Sequence, residues 1–490
     1  MRADVRAPAI SVLVQQDPDG VPLYTQLYRQ LREHILNGTL APGASLPSAR
    51  TLASDLHLSR NTVESAINQL RAEGYVTRRV GAGTLVADTN EVVPFAHRRR
   101  TTHNESNGRP VPRAAPTLSS RGALLAEGGR AEIDSDRQTG PCSVDVVRFP
   151  ARTWQRILAR EARRGASALL NSGDPQGNRA LRAAISEHAR LTRGLACSAE
   201  QVVIVSSTQQ ALDLASRLLL TPGDTALVED PGYPAARAVF ASAGAVVHGI
   251  PVDDRGVQVD AFRRHPKARL LYLTPSHQYP LGVTLTLARR VAALAWANET
   301  GAWIIEDDYD SEFHYNGRPI AAMQGLDRNE RVLYVGTFNK VLFPGIRLAY
   351  LILPTALVDP FVSARRLSDG GSPSLPQAAL AEFMSAGHFA AHLRRAGRLY
   401  RQRRDLLVDC LEKAGLTIGP NETGIHLTVH LPQSVDDVAL SAATAGHGLG
   451  VSPLSRYYLG PSAERGLLLS FGAATESEIR SDVAAIVALL

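Results

Sequence analysis

Apolar residues recur at four-residue spacing at Leu23, Leu27, Leu31 and Ile35, which predicts an amphipathic helix over 23–36 ended by Gly38. Ser48-Ala-Arg-Thr-Leu-Ala-Ser-Asp-Leu predicts a short second helix. A third opens in Leu58-Ser-Arg-Asn-Thr-Val with Ser59 as N-cap, and runs through Ala66, Ile67 and Leu70 to Gly74. Tyr75-Val-Thr-Arg-Arg-Val and Thr84-Leu-Val then flank Gly81-Ala-Gly83, the pattern of two strands around a glycine turn. From about residue 143 the pattern changes. The short apolar runs Val202-Val-Ile-Val, Thr225-Ala-Leu-Val, Leu270-Leu-Tyr-Leu, Trp303-Ile-Ile and Val332-Leu-Tyr-Val alternate with helical stretches. That alternation predicts an α/β domain with a largely parallel sheet. Beyond about 375 the chain is helix-rich with a few strands and predicts a smaller α+β lobe. Residues 1–20 are polar and Pro/Asp-rich, and 88–142 carry Pro, Gly, Ser, Asn and Arg without clear periodicity. The expected organisation is an arm over 1–20, a small domain of three helices and a hairpin over 21–87, an interdomain linker over 88–142 and a large domain over 143–490.

A length of 490 residues agrees with two or three units rather than one core. No apolar run is long enough to cross a bilayer, and Met1-Arg-Ala-Asp-Val-Arg lacks the apolar stretch of a signal peptide, so a cytoplasmic protein is expected. Cys142, Cys197 and Cys410 are too far apart to suggest a disulfide framework or a metal site. The formal charge of +6 permits nucleic-acid binding without requiring it. Residues 1–100 hold twelve arginines against nine acidic residues, a small excess. Lysine usage is more telling. The chain has three lysines, Lys267, Lys340 and Lys413, so amine chemistry has three candidates. Lys267 lies in His265-Pro-Lys-Ala-Arg, a surface turn, and Lys413 near a helix end. Lys340 follows a strand, in Val335-Gly-Thr-Phe-Asn-Lys, with Pro344 and Gly345 in the loop after it.

Helix, short helix, turn, helix and hairpin make a winged helix-turn-helix. Its turn is Leu56-His-Leu-Ser, and its third helix begins Ser59-Arg60-Asn61-Thr62. Hydroxyl and amide groups at a helix N-terminus can hold phosphates, and Arg60 can grip guanine through two hydrogen bonds. Ser59 could equally be a cap alone, and Arg60 a solvated charge. A glycine wing can approach a DNA backbone closely.

In the large domain, the residue types fit pyridoxal 5′-phosphate. That cofactor needs a lysine for its Schiff base, a carboxylate opposite the pyridine nitrogen, a helix N-terminus and a cation for its phosphate, and a flat neighbour for its ring. Ile304-Ile-Glu-Asp-Asp-Tyr-Asp ends one strand in carboxylates. Val205-Ser-Ser-Thr-Gln-Gln-Ala-Leu runs from a strand into a helix. Arg347 follows Lys340 in one loop, and Tyr233 stands in Glu229-Asp-Pro-Gly-Tyr. Taken singly, each has a bland alternative: a solvated strand end, a cap, a core tyrosine, an exposed loop lysine.

Residues 21–87, through Leu46-Pro-Ser-Ala-Arg-Thr-Leu-Ala, Leu58-Ser-Arg-Asn-Thr-Val, Ala72-Glu-Gly-Tyr-Val and Gly81-Ala-Gly-Thr-Leu-Val, resemble the GntR family of regulators. Residues 143–488 resemble fold-type I aminotransferases of the MocR/GabR subfamily, through Gly173-Asp-Pro-Gln-Gly, Ser206-Ser-Thr-Gln-Gln-Ala-Leu, Thr274-Pro-Ser-His-Gln-Tyr-Pro-Leu-Gly, Ile305-Glu-Asp-Asp-Tyr-Asp-Ser-Glu-Phe and Gly336-Thr-Phe-Asn-Lys. The implied fold is multidomain: an α/β winged helix-turn-helix followed by a fold-type I α/β transferase-like domain with a small α+β lobe. The resemblance implies DNA contacts at Ser48, Arg50, Ser59, Arg60, Asn61, Thr62 and Gly83. It implies Lys340 as the Schiff-base lysine, Asp307 at the pyridine nitrogen and Tyr309 at the ring hydroxyl. Ser207, Thr208, Gln209, Thr337 and Arg347 would surround the phosphate, and Tyr233 would sit beside the ring.

The chain departs from the family pattern at Ser172, Ser207 and Asn339, and where a carboxylate-gripping arginine is common it has Leu468. The implied function is a pyridoxal-phosphate-dependent regulator, a homodimer on a double-stranded operator, that senses the cofactor or an amine or amino-acid-like effector at Lys340. The alternative is an aminotransferase with an accessory DNA domain. The lost arginine makes weak transamination the expectation.

Overall fold

The computed structural model describes residues 21–79, 83–87, 118–135, 143–165, 171, 173–315, 321–444, 449–462 and 464–490. The expected arm, residues 88–117 and 136–142 of the expected linker, Gly81, Cys142 and Ser172 lie outside the described residues. The chain divides into two compact units, Met1–Ala114 and Ala115–Leu490.

In the first unit, helices span Leu23–Leu36, Ala49–Asp55 and Arg60–Ala72. Leu27, Leu31 and Ile35 share a core with Leu52, Val63, Ala66, Ile67 and Leu70. The last two helices start where hydroxyls relieve backbone donors. Ser48 Oγ accepts from the Thr51 amide at 3.1 Å, and Ser59 Oγ from the Thr62 amide at 3.0 Å. His57, in the turn between these helices, takes a left-handed φ of 53°. Strands β1 (Ser45–Leu46), β2 (Val76–Arg79) and β3 (Gly83–Val86) form an antiparallel sheet in the order β1-β3-β2. Two residues are too few to show a period, so β1 leaves no trace in the hydrophobic pattern.

The second unit is built on an eight-stranded sheet: β4 (Val202–Val205), β5 (Thr225–Asp230), β6 (Val246–Asp253), β7 (Gly256–Val257), β8 (Ala268–Leu273), β9 (Trp303–Asp308), β10 (Val332–Thr337) and β11 (Ala349–Ile352), in the order β4-β11-β10-β9-β8-β5-β6-β7. Strands β10, β9, β8, β5 and β6 are parallel neighbours. Strand β11 runs against both β10 and β4, so β4 points the same way as the parallel set. All five strands expected from apolar runs are present. Strand β6 is mostly half-exposed and interrupted by His248, Gly249 and Pro251, which dilutes its apolar signal. A second sheet, β12 (Thr417–Ile418), β13 (His426–Leu431), β14 (Gly450–Pro453) and β15 (Arg465–Ser470), is wholly antiparallel in the order β12-β13-β15-β14. It belongs to the helix-rich lobe expected beyond 375.

Residues Ser120–Ser135, inside the stretch that reads as linker, form a helix packed on the helix Pro234–Ser242. Ser119 Oγ accepts from the Gly122 amide at 3.0 Å, and Gly128 lies so close to Ala238 that a Cβ there would collide with it. Three glycines among Ala and Leu blur the helical period, which is why the pattern does not announce this element.

Candidate functional site

Strands β4, β5, β8, β9 and β10 run in one direction, so their C-terminal ends share an edge of the sheet, where open α/β sheets bind ligands. From that edge come the Ser206–Thr208 turn after β4, Tyr233 after β5, the Thr274–Gly282 segment after β8, Asp307–Asp310 at the end of β9 and Lys340 after β10.

The acidic run Glu306-Asp307-Asp308-Tyr309-Asp310 sorts into different tasks. Glu306 accepts the amides of Met323 and Gln324 at 2.7 and 2.8 Å. Asp308 accepts from Arg193 Nε at 2.8 Å and from the Tyr334 hydroxyl at 2.6 Å. Both are thereby committed to the scaffold. Asp307 differs. Its Oδ2 accepts from the Tyr272 hydroxyl at 2.7 Å, but its buried Oδ1 has no hydrogen-bond partner among the described residues. Burial pushes this carboxyl up to about 7; the Tyr272 hydrogen bond opposes the shift, and the nearby Asp308 and Asp310 reinforce it. A buried carboxylate oxygen with no donor fits a protonated ring nitrogen.

Tyr309 lies beside a buried imidazole pair. Its hydroxyl donates to the His277 carbonyl at 3.0 Å and lies 3.2 Å from His277 Nδ1. That nitrogen is 3.0 and 3.1 Å from the two oxygens of Asp310, whose Oδ2 also accepts the Ile425 amide at 3.2 Å. His426, on β13, packs on His277 with ring centroids 4.5 Å apart. Burial foremost, then the neighbouring His277 ring and the Lys340 ammonium, hold His426 well below the usual histidine range, so it is neutral. Lys340 is half-buried within electrostatic reach of this cluster. Lys267 is exposed, and Lys413 pairs with Asp409 at 2.7 Å on the helix His388–Lys413.

The helix Thr208–Leu219 begins at this edge, with Ser207 as its N-cap accepting from the Gln210 amide at 3.2 Å. The first amides of a helix have no intrahelical acceptors and suit an anion. Gln209 Nε2 donates to the Tyr233 hydroxyl at 2.8 Å, which ties the cap to the tyrosine after β5. Thr337 is buried at the end of β10, and its hydroxyl accepts the Asn339 amide at 3.2 Å. Arg347 is exposed, in a left-handed conformation (φ 49°), after the short turn Pro344–Ile346.

Behind Tyr279 lies a hydrophobic cluster. Leu468 is fully buried on β15 and clusters with Leu281, Val283, Leu454 and Tyr457, with Tyr279 packed against them. Tyr279 meets Tyr233, Tyr309 and Tyr457 edge-on, with centroids 5.8, 5.7 and 5.2 Å apart. Arg456, two residues beyond Leu454, is exposed.

In the small unit, Ser48, Arg50, Ser59, Arg60 and Asn61 are exposed around the N-termini of two consecutive helices, with Thr62 half-buried. Arg60 Nε bonds Glu64 at 3.0 Å on its own helix, and Gly83 (φ +79°) opens β3 at the wing.

Residues 23–86 match the bacterial regulatory proteins of the gntR family, and residues 146–486 match aminotransferase class I and II. The chain is 40% identical over 478 residues to the probable rhizopine catabolism regulatory protein MocR of Rhizobium meliloti, covering 96% of this chain and 94% of that one. It belongs to the MocR/GabR type of GntR-family transcription regulators. A second relative, the pyridoxine biosynthesis regulator PdxR of Corynebacterium glutamicum, is 32% identical, with 95% and 94% of the two chains covered. Among solved structures, a Pyrococcus horikoshii kynurenine aminotransferase in complex with PMP superposes with a TM-score of 0.67 at 26% identity, covering 76% of this chain and 94% of the other.

This regulator therefore joins a DNA-binding GntR unit to an aminotransferase-like unit, and its fold supports pyridoxal 5′-phosphate as cofactor. Among the described residues no helix is long and apolar enough to cross a membrane. Sequence reasoning singled out Asp307, Tyr309 and Lys340 but gave no role to Tyr272, His277, Asp310 or His426. His277 and Asp310 stand inside quoted motifs, which was a usable signal. His426 lies more than a hundred residues downstream in another lobe, with no local pattern around it.

Proposed function

We propose that this regulator holds pyridoxal 5′-phosphate at Lys340, and that the cofactor, or an amine reaching it there, sets how tightly the GntR unit holds its operator. The observation that carries the reading is the buried Oδ1 of Asp307, which meets no donor among the described residues, on the same sheet edge as Lys340 and the Ser207 helix cap. When bound, the cofactor supplies an aldehyde that condenses with primary amines and a ring that withdraws electrons. Asp307 faces the ring nitrogen and keeps its proton in place. Tyr309 faces the ring hydroxyl, and Tyr233 flanks the ring. Ser207, Thr208, Gln209, Thr337 and Arg347 hold the phosphate. Lys340 is the amine that anchors the group.

On the DNA side, Ser48, Arg50, Ser59, Arg60, Asn61, Thr62 and Gly83 meet the operator, with phosphate contacts from the helix starts and base reading by Arg60. The working form is a cytoplasmic homodimer whose two readers address repeated half-sites. Leu468, buried in a hydrophobic cluster, supports regulation over turnover, because transamination needs the substrate carboxylate oriented for proton transfer and a leucine offers no such clamp. Regulation needs only unequal affinity of a ligand for two arrangements of the protein, and a coupling of about 1–3 kcal/mol is typical.

The test is operator binding by the full-length protein with and without cofactor, and with added methylamine or alanine, in wild type and Lys340→Ala. The expected result is a cofactor-dependent change in operator affinity that Lys340→Ala abolishes, with few turnovers of alanine. Brisk transamination of alanine, or operator binding indifferent to cofactor in both proteins, overturns the proposal. Sedimentation as a monomer with cofactor bound overturns the dimer.

A further inference from the structure

We infer that His277, braced by Asp310, is a positioning residue that fixes the phenol of Tyr309 and so sets the proton affinity of the group this phenol faces. The inference rests on the reading that pyridoxal 5′-phosphate occupies the site. Its basis is a set of contacts that brings His277 onto the phenol oxygen of Tyr309 by hydrogen bonding.

Asp310 is an acceptor on both sides: Oδ2 takes the Ile425 amide at 3.2 Å, and the carboxylate meets His277 Nδ1 at 3.0 and 3.1 Å. A carboxylate in that position requires the imidazole proton on Nδ1. The Nδ1–H is thus shared between Asp310 and the Tyr309 oxygen 3.2 Å away, while the Tyr309 hydroxyl donates to the His277 carbonyl at 3.0 Å. One residue therefore holds the phenol oxygen by two atoms. To donate to a ring oxygen, Tyr309 must turn its O–H off the His277 carbonyl. The Nδ1–H keeps the phenol oxygen in place during that change and polarises the O–H that remains.

The imidazole has little freedom. His277 is 2% exposed and Asp310 is fully buried. A side chain at Gly424, whose φ is +76°, would collide with the imidazole ring and with Asp310, so only glycine leaves room for the pair. Tyr309 lies nearly parallel to His277, with centroids 5.9 Å apart and planes at 25°. Two further titratable rings face the phenol, His426 on β13 and Tyr279 after β8; Lys340 lies within electrostatic reach of His426, and Tyr457 meets Tyr279. His277, Asp310 and His426 also bring ligand-type atoms within 4.8 Å of one another. The hydrogen bonds from His277 Nδ1 and the Ile425 amide already occupy Asp310, so the cluster reads as a hydrogen-bonded brace.

The experiment is a pH titration of the visible absorption band of the full-length protein loaded with pyridoxal 5′-phosphate. A donor to the ring oxygen stabilises its deprotonated form, so weakening that donor raises the midpoint. Tyr309→Phe is expected to raise it. His277→Leu, which removes the Nδ1–H, is expected to raise it in the same direction by about half a pH unit or more. His277→Asn, which keeps an N–H near the place of Nδ1, is expected to restore most of the wild-type midpoint. His277→Leu added to Tyr309→Phe should shift the midpoint much less than His277→Leu does alone, because the brace acts through the phenol. His277→Gln displaces the same donor and replaces the leucine variant if that variant does not fold. A wild-type midpoint in cofactor-loaded His277→Leu or His277→Gln, or an undiminished shift in the Tyr309→Phe background, overturns this inference alone. Absence of any Lys340-dependent band in the wild type overturns the cofactor reading and this inference together.

Discussion

Arg50, Arg60 and Asn61 stand in solvent on two consecutive helices of the small unit, whereas Asp307, His277 and Asp310 are each less than 5% exposed in the large one. The contrast decides when each group's electrostatic cost falls due. An exposed guanidinium such as Arg60 keeps its hydration, and its contact with Glu64 at 3.0 Å contributes little. It is available to DNA with almost nothing to undo. A buried carboxyl such as Asp307 bears its desolvation before any ligand arrives, which is why burial pushes it up to about 7. The reader is a surface whose energy appears on binding; the pocket is a strained electrostatic arrangement that a ligand relieves.

The largest effect that sharpens this contrast is at Lys340. Lys340→Ala should abolish the visible band of the cofactor-loaded protein, and borohydride reduction of the wild type should label Lys340. Label on Lys267 or Lys413 would break the assignment.

Next comes the burial cost of Asp307 in the cofactor-free protein. Its folded titration near 7 lies above the ordinary carboxyl value of 3.8. The protonated form is therefore favoured by folding, and this contribution is fully present below about pH 4 and lost as pH rises through about 7. Asp307→Asn should remove roughly 2–3 kcal/mol of the stability decline between pH 5 and pH 8, read by urea unfolding of both proteins at each pH. Loading the cofactor should flatten the wild-type profile in the same way, since a protonated nitrogen facing Oδ1 restores the ionised carboxylate. An identical pH profile in wild type and variant would mean that Asp307 carries no such cost.

The exposed side predicts smaller numbers. Arg60→Ala should weaken operator binding by about 1–3 kcal/mol and relax sequence preference, with steep salt dependence in the wild type. If Arg60→Ala and Arg50→Ala both bind operator like wild type, the third helix is not the reader. Smallest is the cap: Ser59→Ala frees the Thr62 amide and should lower the thermal stability of the small unit by about 1 kcal/mol. No change in thermal midpoint would show that water replaces the hydroxyl.

Most of the small unit was legible along the chain because its signals are local. A four-residue apolar spacing, a serine cap at Ser59 and a glycine turn each act within a few residues, and the helices Leu23–Leu36 and Arg60–Ala72 lie where those signals put them. The buried strands β4, β5, β8, β9 and β10 were legible for the same reason: continuous apolar runs leave little alternative. The helix Ser120–Ser135 was not, since its glycines weaken the period and its stability comes from the close approach to Ala238. Strand β11, no shorter than β4, was missed because it follows directly on the loop that carries Lys340, Pro344, Gly345 and Arg347.

What the sequence determined by itself is chemical identity and local order: three lysines with one in a strand-end loop, a carboxylate-rich strand end, a hydroxyl-rich helix start, and a leucine where an arginine is common. Tertiary structure alone decided which carboxylate is open. Asp307 and Asp308 are neighbours of the same type, but Arg193 and Tyr334 converge on Asp308, whereas Asp307 Oδ1 meets no donor among the described residues. It also decided that His277, Asp310 and His426, drawn from three separate segments and two sheets, lie together behind Tyr309. The reason is the range of the forces. Capping and periodicity act over one or two turns of chain, whereas a hydrogen bond or a desolvation cost depends on ångström distances in space, and those distances exist only once parallel strands have brought their ends to one edge.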